Sequence, residues 1–260
     1  MKNNKKSKKL EIQMKQKTEG ILKEENEDYL ENEYNPKLDP DHIVIFDCEL
    51  ESVEYTKAID LVYLIDTTGS MNCYLESIQK IMKKIIWDIK RCLSKFLLEE
   101  IDVLKVGIVS YRDHEDENKT YFSKIDIDLT ANQKDINTII MALTCGGGKD
   151  EPECFLEGLK MALYDINWRD DSIKFIYHIL DAPCHGKLFN NIEGDKFENC
   201  PNNIDIEQLF NEMRNKNINY SIIKLNDSID IMLKEFKKMI NLKVLNPSIY
   251  CDKTKTVTQD

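Results

Sequence analysis

From Tyr55 onward, apolar and polar residues follow two different periodicities, one typical of strands and one typical of helices. Short apolar runs and one strictly alternating segment predict five β-strands: DLVYLID, LKVGIVSYRD, YFSKIDIDLT, IKFIYHILDAP and INYSIIKLN. After the first run, apolar residues recur at helical spacing: Leu75, Ile78, Met82, Ile85, Ile86, Ile89 and Leu93. Four later segments also predict helices: ANQKDINTIIMALT, EPECFLEGLKMALYDI, NIDIEQLFNEMRNKN and DSIDIMLKEFKKMI. We expect Pro152 near the first turn of the second of these, and Asp227 or Ser228 as the cap of the last.

Strands that alternate with helices predict an α/β fold: an open, doubly wound, mostly parallel sheet with helices on both faces. The order of the elements fits six strands, with YFSKIDIDL as a short antiparallel edge strand. In such sheets, ligands bind beyond the carboxyl ends of the strands, where the strand order reverses. The residues just after each apolar run are therefore the candidates for a functional site.

The ends of the chain have a different composition. The first twenty residues contain seven lysines and two glutamates, whereas residues 21–54 contain twelve acidic residues and two lysines. Such segments bury too little apolar surface to offset their ordering entropy. We therefore predict a disordered charged tail at 1–55, a folded domain at 56–244 and a C-terminal tail at 245–260. Within the first tail, HIVIFDCEL is a segment able to dock on the folded body.

Charge and composition exclude several classes of function. The net charge of −11 argues against binding to nucleic acid or to an anionic membrane. We predict no membrane span, since no apolar run reaches about 18 residues, and no secretory signal, since no apolar segment follows the N-terminal lysines. The eight cysteines are irregularly spaced without a CxxC pair, which favours reduced thiols in a cytoplasmic protein and argues against structural zinc.

Polar residues follow two of the predicted strands and fill one glycine-rich loop. They are Asp66, Thr68 and Ser70 after the first strand, Asp181 after IKFIYHIL, and Asp150, Glu151 and Glu153 in CGGGKDEPE between them. Carboxylates from these three segments repel one another at close range unless a cation lies between them. Oxygen ligands suit Mg²⁺, Mn²⁺ or Ca²⁺ rather than zinc or copper. The alternative is that Asp66 and Ser70 only cap the following helix.

The motif Asp-x-Thr-Gly-Ser, placed between a strand and a long amphipathic helix, resembles the metal-ion-dependent adhesion site of the von Willebrand factor A domain. Four further motifs are similar to the intracellular branch of A domains found in alpha-kinases: YRDH, GGGKDEPE, LDAPCHG and IDIEQLF. The resemblance covers roughly residues 58 to 242.

The resemblance implies a metal site with ligands from three loops. They are Asp66, Thr68 and Ser70 from the first loop, Asp150 from the glycine-rich loop, with Glu153 as a second candidate there, and Asp181 from the end of the fourth strand. Lys149 stands where the family usually has glycine. The implied cation is Mg²⁺, with Mn²⁺ or Ca²⁺ as alternatives. A cation with few direct anionic ligands keeps an open position that accepts a carboxylate.

These implications predict an intracellular, non-enzymatic module that binds an acidic residue, Asp or Glu, of a partner protein through the cation. One alternative is membership of, or association with, an alpha-kinase (protein Ser/Thr kinase) system, although the twenty residues after Ile240 are too few for a kinase domain. A second alternative is a metal-free scaffold in which Lys149 replaces the ion.

Other chemistry-bearing residues have structural interpretations. We expect Cys184 and His185 to shape a loop, since neighbours in sequence rarely form a nucleophile and its base. Arg112 and Asp113 are predicted to brace the metal loop, and His178 lies in a buried strand run as a core residue. The sequence GGGK lacks the spacing and context of a phosphate-binding loop.

Overall fold

The computed structural model describes residues 58–93, 103–114, 121–193, 195 and 197–246. The predictions of a disordered tail and of the docking segment HIVIFDCEL therefore lie outside the described residues, as does most of the predicted C-terminal tail. None of the helices in the described ranges is long and apolar enough to cross a membrane.

Six strands and five α-helices make up the described part of the chain. The strands are β1 (Ala58–Asp66), β2 (Leu104–Tyr111), β3 (Ser123–Thr130), β4 (Ser172–Leu180), β5 (Ile218–Lys224) and β6 (Lys243–Leu245). The helices are α1 (Leu75–Leu93), α2 (Gln133–Ala142), α3 (Phe155–Tyr164), α4 (Ile206–Asn215) and α5 (Asp230–Met239). A 3₁₀ turn, Ser70–Tyr74, leads into α1.

All six strands form one sheet in the order β3-β2-β1-β4-β5-β6. Only β3 is antiparallel to its neighbour, so the predicted edge strand and the mostly parallel sheet are both confirmed. β6 has three residues and gave no strand signal in the sequence. Because β1 pairs with β2 on one side and β4 on the other, the strand order reverses at the carboxyl ends of β1 and β4.

Alternating side chains of β1 pack on opposite faces of the sheet. Val62 and Leu64 belong to the same buried cluster as Phe155 of α3. Tyr63 lies on the other face, where its hydroxyl donates to the carbonyl of Met82 in α1 over 2.8 Å. Both faces of the strand are buried, which explains its unbroken apolar run and confirms helices on both sides.

The start of α3 differs from the prediction. The helix begins at Phe155, so Pro152 precedes it instead of lying in its first turn. The backbone N–H of Glu153 donates to the carbonyl of Pro183 over 2.9 Å. The backbone at Glu153 is thus bound to the loop after β4, and the helix starts only after this residue.

The cap of α5 was also predicted wrongly. Ile229 is the N-cap residue, and no side chain caps the helix. Ser228, one of the two predicted caps, donates its hydroxyl to the carbonyl of Asp181 instead. The residue contributes to the loop after β4, a long-range contact that local capping rules do not include.

The described cysteines fall into two groups. Cys145, Cys154, Cys184 and Cys200 are free thiols, in agreement with the predicted reduced state. Cys73 is disulfide-bonded, so the prediction is wrong for this residue. Spacing along a sequence does not determine which thiols meet in space.

Candidate metal centre

A chain of polar contacts runs from the end of β1 to the end of β4. Asp66, the last residue of β1, is fully buried, and its Oδ1 accepts the backbone N–H and the hydroxyl of Thr68 over 2.8 and 2.7 Å. The Thr68 oxygen lies 3.2 Å from the Ser70 hydroxyl oxygen. Ser70 in turn donates to Oδ1 of Asp181 over 3.0 Å. Four of the predicted ligands therefore meet at the point where the strand order reverses.

The glycine-rich loop is fixed against the first loop by two backbone hydrogen bonds. The N–H of Gly146 donates to the carbonyl of Thr67 over 2.9 Å, and the N–H of Gly69 donates to the carbonyl of Gly147 over 3.0 Å. These bonds hold the two loops side by side, so that a side chain from either loop can reach the same point.

Gly148 allows Glu153 to approach the first loop. Its φ of +75° lies in the left-handed region. A β-carbon at this position would lie 3.0 Å from Oε1 of Glu153 and 3.2 Å from Cβ of Thr68. Glu153 is buried and also forms an isolated β-bridge with Cys184 in the loop after β4. The Glu153 carboxylate therefore lies beside Thr68, in a gap that a larger residue at 148 would fill.

Three buried carboxylates lie in this region, and few groups offset their negative charge. Burial raises the pKa of Asp66 to about 8, and the negative charge of Asp181 adds to the effect. Burial also raises the pKa of Asp181 to about 6, and burial followed by the charge of Asp66 raises the pKa of Glu153 well above its ordinary value. Within the described residues, Asp66 Oδ2 and Glu153 Oε2 have no hydrogen-bond partner. These donors are all oxygens, and their composition fits a hard divalent cation.

Asp150 belongs to a cluster with Asp113 and His185. Ligand atoms of Asp150, Asp113 and His185 all lie within 4.8 Å of one another. Nε2 of His185 lies 3.2 Å from Oδ1 of Asp113, and Nδ1 lies 2.9 Å from Oδ1 of Asp195. His185 therefore binds two carboxylates, which raise its pKa against the opposing effect of burial. Asp113 of the YRDH motif braces the loop after β4 through this pair.

Lys149 has an exposed side chain. Its backbone N–H hydrogen-bonds the Asp113 carboxylate and helps to hold the pKa of that group below its ordinary value. Lys149 thus makes its contact with Asp113 through its backbone N–H, a group that every residue except proline has.

Two residues considered for chemistry are deeply buried. Burial raises the pKa of the Cys184 thiol well above its ordinary value, which favours the predicted loop-shaping role. His178 is confirmed as a core histidine, since its two ring nitrogens lie 2.8 Å from the hydroxyl of Tyr111 and 2.7 Å from that of Tyr220. Burial lowers its pKa to about 3, so the ring is neutral near pH 7.

Sequence reasoning missed a second polar cluster beside this site. Ligand atoms of His114, Cys154 and Glu157 lie within 4.8 Å of one another. The only local signal was the i, i+3 spacing of Cys154 and Glu157 at a helix start, which places both side chains on one face. His114 comes from the end of another strand, forty residues earlier, and sequence spacing does not bring it there.

Known proteins resemble most of this chain. Residues 60–196 match the family model described as the von Willebrand factor A domain. The chain is 27% identical over 195 residues to alpha-protein kinase vwkA of Dictyostelium discoideum. That match covers 74% of this chain and 28% of the relative, so the chain spans less than a third of the relative's length.

Two solved structures align with most of this chain. The SpRpn10 VWA domain superposes with a TM-score of 0.46 and 15% identity, covering 74% of this chain and 89% of that domain. The conserved hypothetical protein BatB from Bacteroides thetaiotaomicron gives a TM-score of 0.44 and 13% identity, covering 74% and 92%. With the family model matching more than half of its length, the chain belongs to the von Willebrand factor A domain family.

Proposed function

We propose that this chain is a protein-interaction module that binds an acidic residue of a partner through a divalent cation. The proposed ligand set is Asp66, Thr68, Ser70, Glu153 and Asp181. One observation carries the proposal: two buried carboxylate oxygens, Asp66 Oδ2 and Glu153 Oε2, have no hydrogen-bond partner in the described part of the chain. Buried polar atoms are normally satisfied, and each exception calls for an explanation such as an ion.

The hydroxyl groups support the same conclusion. A hydroxyl has one hydrogen; that of Thr68 is donated to Asp66 and that of Ser70 to Asp181. The two hydroxyl oxygens lie 3.2 Å apart, and either one can donate to the other. Two hydroxyl oxygens placed together between carboxylates are suited to bind a cation.

Mg²⁺ is the proposed ion, since every donor is an oxygen and Mg²⁺ uses carboxylates, hydroxyls and waters. When bound, it would supply positive charge and a coordination position for a partner's carboxylate. Ser70 is exposed whereas Asp66 is fully buried, so this position would be reached from the Ser70 side. We assign Asp150 to the neighbouring Asp113–His185 pair and Glu153 to the cation.

A thermal melt of the whole chain tests metal binding. Millimolar Mg²⁺ or Mn²⁺ should raise the melting temperature above that in EDTA, because a ligand of the native state adds RT ln(1 + [L]/Kd) to stability. Asp66→Ala and Glu153→Gln should abolish the increase, and Asp150→Asn should retain most of it. A shift lost in Asp150→Asn but kept in Glu153→Gln would reverse our assignment within the glycine-rich loop.

A capture experiment tests the partner chemistry. Proteins captured on the wild-type chain in Mg²⁺ should be released by EDTA and should not bind Asp66→Ala. Substitution of one Asp or Glu in the partner should have the same effect. Partner binding that survives both EDTA and Asp66→Ala would contradict the proposal.

We also propose that the chain has no kinase activity of its own and acts inside the cell. The similarity to an alpha-protein kinase keeps association with such a kinase as the second candidate. Incubation of the pure chain with labelled ATP and a generic protein substrate distinguishes these roles: phosphate transfer by the chain alone would contradict the non-enzymatic proposal. A fluorescent fusion tests the cytoplasmic location.

A further inference from the structure

Three potential metal ligands meet beside the oxygen-rich site, and a further cysteine contacts one of them. His114 follows β2, Cys154 is the N-cap residue of α3 and Glu157 lies in its first turn. Cys200 lies in the segment between β4 and α4. Nε2 of His114 lies 3.0 Å from Oε1 of Glu157. Sγ of Cys200 lies 3.5 Å from the same oxygen. Ligand atoms of His114, Cys154 and Glu157 all lie within 4.8 Å of one another, and Cys200 joins this group through its contact with Glu157.

The cluster is buried and incompletely satisfied. Cys154 is 1% exposed and Glu157 is 6% exposed. In the described ranges, Glu157 Oε2 and His114 Nε2 lack a hydrogen bond of acceptable geometry, although Nε2 lies close to Oε1. His114 and Glu157 Oε1 form an ion pair, but Glu157 Oε2 remains buried without a partner, and a bound ion would satisfy it.

We propose that His114, Cys154, Glu157 and Cys200 bind one zinc ion. Tetrahedral zinc, with Zn–N of about 2.0 Å and Zn–S of about 2.3 Å, separates its ligand atoms by about 3.3–3.8 Å. The observed separations of 3.0 and 3.5 Å are close to this range. Thiolate and imidazole donors select zinc over magnesium. Four protein ligands leave no open position, so the ion has a structural role.

The surroundings orient these ligands. The side-chain N–H of Asn202 donates to Oε1 of Glu157 over 2.8 Å, and such contacts fix a ligating carboxylate. The ring of His114 packs between those of Phe122 and Phe197, with centroids 6.0 and 5.8 Å away. The zinc ion ties together three segments, including the start of α3.

This ion is distinct from the cation of the proposed function. The two sites share no residue, and their donors belong to different classes, sulfur and nitrogen here and oxygen there. They are nevertheless close in sequence, because Cys154 directly follows Glu153. Zinc would therefore position the backbone next to Glu153 without contacting the acidic partner.

Cobalt substitution of the full-length, reduced chain tests the proposal. One equivalent of Co²⁺ should produce the near-ultraviolet absorption of a thiolate–cobalt bond and the visible bands of a tetrahedral ion, and Zn²⁺ should displace it. Cys154→Ser and Cys200→Ser should each weaken zinc binding more than a hundredfold. Asn202→Ala should weaken it by about 10- to 100-fold. The free thiol Cys145 lies outside the cluster, so Cys145→Ser is the matched control and should bind normally.

Three outcomes would overturn the proposal. They are absence of thiolate–cobalt absorption in the wild type, unchanged absorption in both cysteine variants, and loss of zinc in Asp66→Ala with retention in the cysteine variants. Cys200 is only half-buried, so Cys200→Ser keeps the test valid if Cys154→Ser fails to fold. Normal zinc binding by Asp66→Ala, which is expected, separates this site from the magnesium site. A failed magnesium melt with intact cobalt spectra would contradict the proposed function alone.

Discussion

The strand β1 has a fully buried aspartate at each end, and the two have opposite surroundings. Asp60, near the amino end, accepts Nε of Arg169 over 2.7 Å at Oδ1. Its Oδ2 accepts the backbone N–H of Arg169 over 2.8 Å and the hydroxyl of Ser172 over 2.7 Å. Both oxygens are satisfied, and the negative charge is paired with a guanidinium.

Asp66, at the carboxyl end of the same strand, is bound only through Oδ1 and only by Thr68. The charges that act on it most strongly are the carboxylates of Asp181 and Asp113. Residue type, burial and strand are the same, so the difference lies in the partners. Asp60 has the contacts of a structural residue. Asp66 lacks a positively charged partner, and a bound cation would provide one.

Among the substitutions, the largest expected loss of stability is at the structural aspartate. Asp60→Ala should lower the free energy of unfolding by about 3–5 kcal/mol, because removing one partner of a buried ion pair leaves the other uncompensated. Urea denaturation at pH 7 measures the loss. Arg169→Ala should cost a similar amount, and the double variant should cost much less than the sum of the two.

Asp66→Ala in EDTA is the matched comparison for this prediction. It removes a buried carboxylate that repels its neighbours, so it should cost far less than Asp60→Ala. Equal losses for the two variants would show that the different partners of Asp60 and Asp66 do not change their contribution to the free energy of unfolding.

The second prediction concerns pH. The pKa of Asp66 is about 8 in the folded chain against an ordinary 3.8, so between pH 4 and 8 the folded state holds a proton that the unfolded state releases. The stability that this group contributes is complete below about pH 4 and is lost as the pH rises toward 8, by up to about 1.4 kcal/mol per pH unit. Asp181, with a pKa of about 6, adds to the slope between pH 4 and 6.

The difference between the wild type and Asp66→Asn isolates this effect, since other titrating groups, His178 among them, are common to both chains. In EDTA, the wild type should lose stability relative to Asp66→Asn as the pH rises. Saturating Mg²⁺ should reduce the difference, because the ion stabilises the ionised carboxylate. Parallel curves for the two proteins in EDTA would disprove the raised pKa.

Local patterns were sufficient to predict much of this molecule. The apolar run of β1 and the spacing of Asp66, Thr68 and Ser70 lie within a few residues of one another, and parallel strands bring their carboxyl ends to one edge. Asp181 followed from the same rule. The sequence therefore predicted the sheet, its antiparallel edge strand and the position at which these four side chains meet.

Contacts that depend on the path of a loop could not be predicted in this way. Asp150 and Glu153 are three residues apart, and Glu153 approaches Thr68 in a loop where Gly147 and Gly148 are both left-handed. The partners Asp60 and Arg169 are 109 residues apart, and no local spacing rule joins them.

The third prediction tests the loop that brings Glu153 to the first loop. Gly148→Ala places a β-carbon 3.0 Å from the Glu153 carboxylate at a φ of +75°. We expect a loss of about 1–2 kcal/mol of stability from the left-handed backbone and several-fold weaker Mg²⁺ binding. Gly146→Ala is the control, since its β-carbon would have no atom within 4 Å. Equal Mg²⁺ affinity in the two variants would argue against Glu153 as a ligand.

The smallest expected effect is that of Lys149→Ala. The side chain is exposed and the backbone N–H supplies the contact to Asp113, so alanine preserves the loop. A solvated ammonium interacts weakly with a nearby site, and Mg²⁺ affinity should change by no more than about twofold at physiological salt. Glu151→Ala, which removes an exposed charge of opposite sign from the same loop, should change affinity by a similar factor in the other direction. A gain of tenfold or more in Lys149→Ala, absent at high salt, would mean that the ammonium competes for the cation's position. The unsatisfied end of β1 would then be compensated by a lysine, as a metal-free scaffold requires, and its contrast with the Asp60–Arg169 end would disappear.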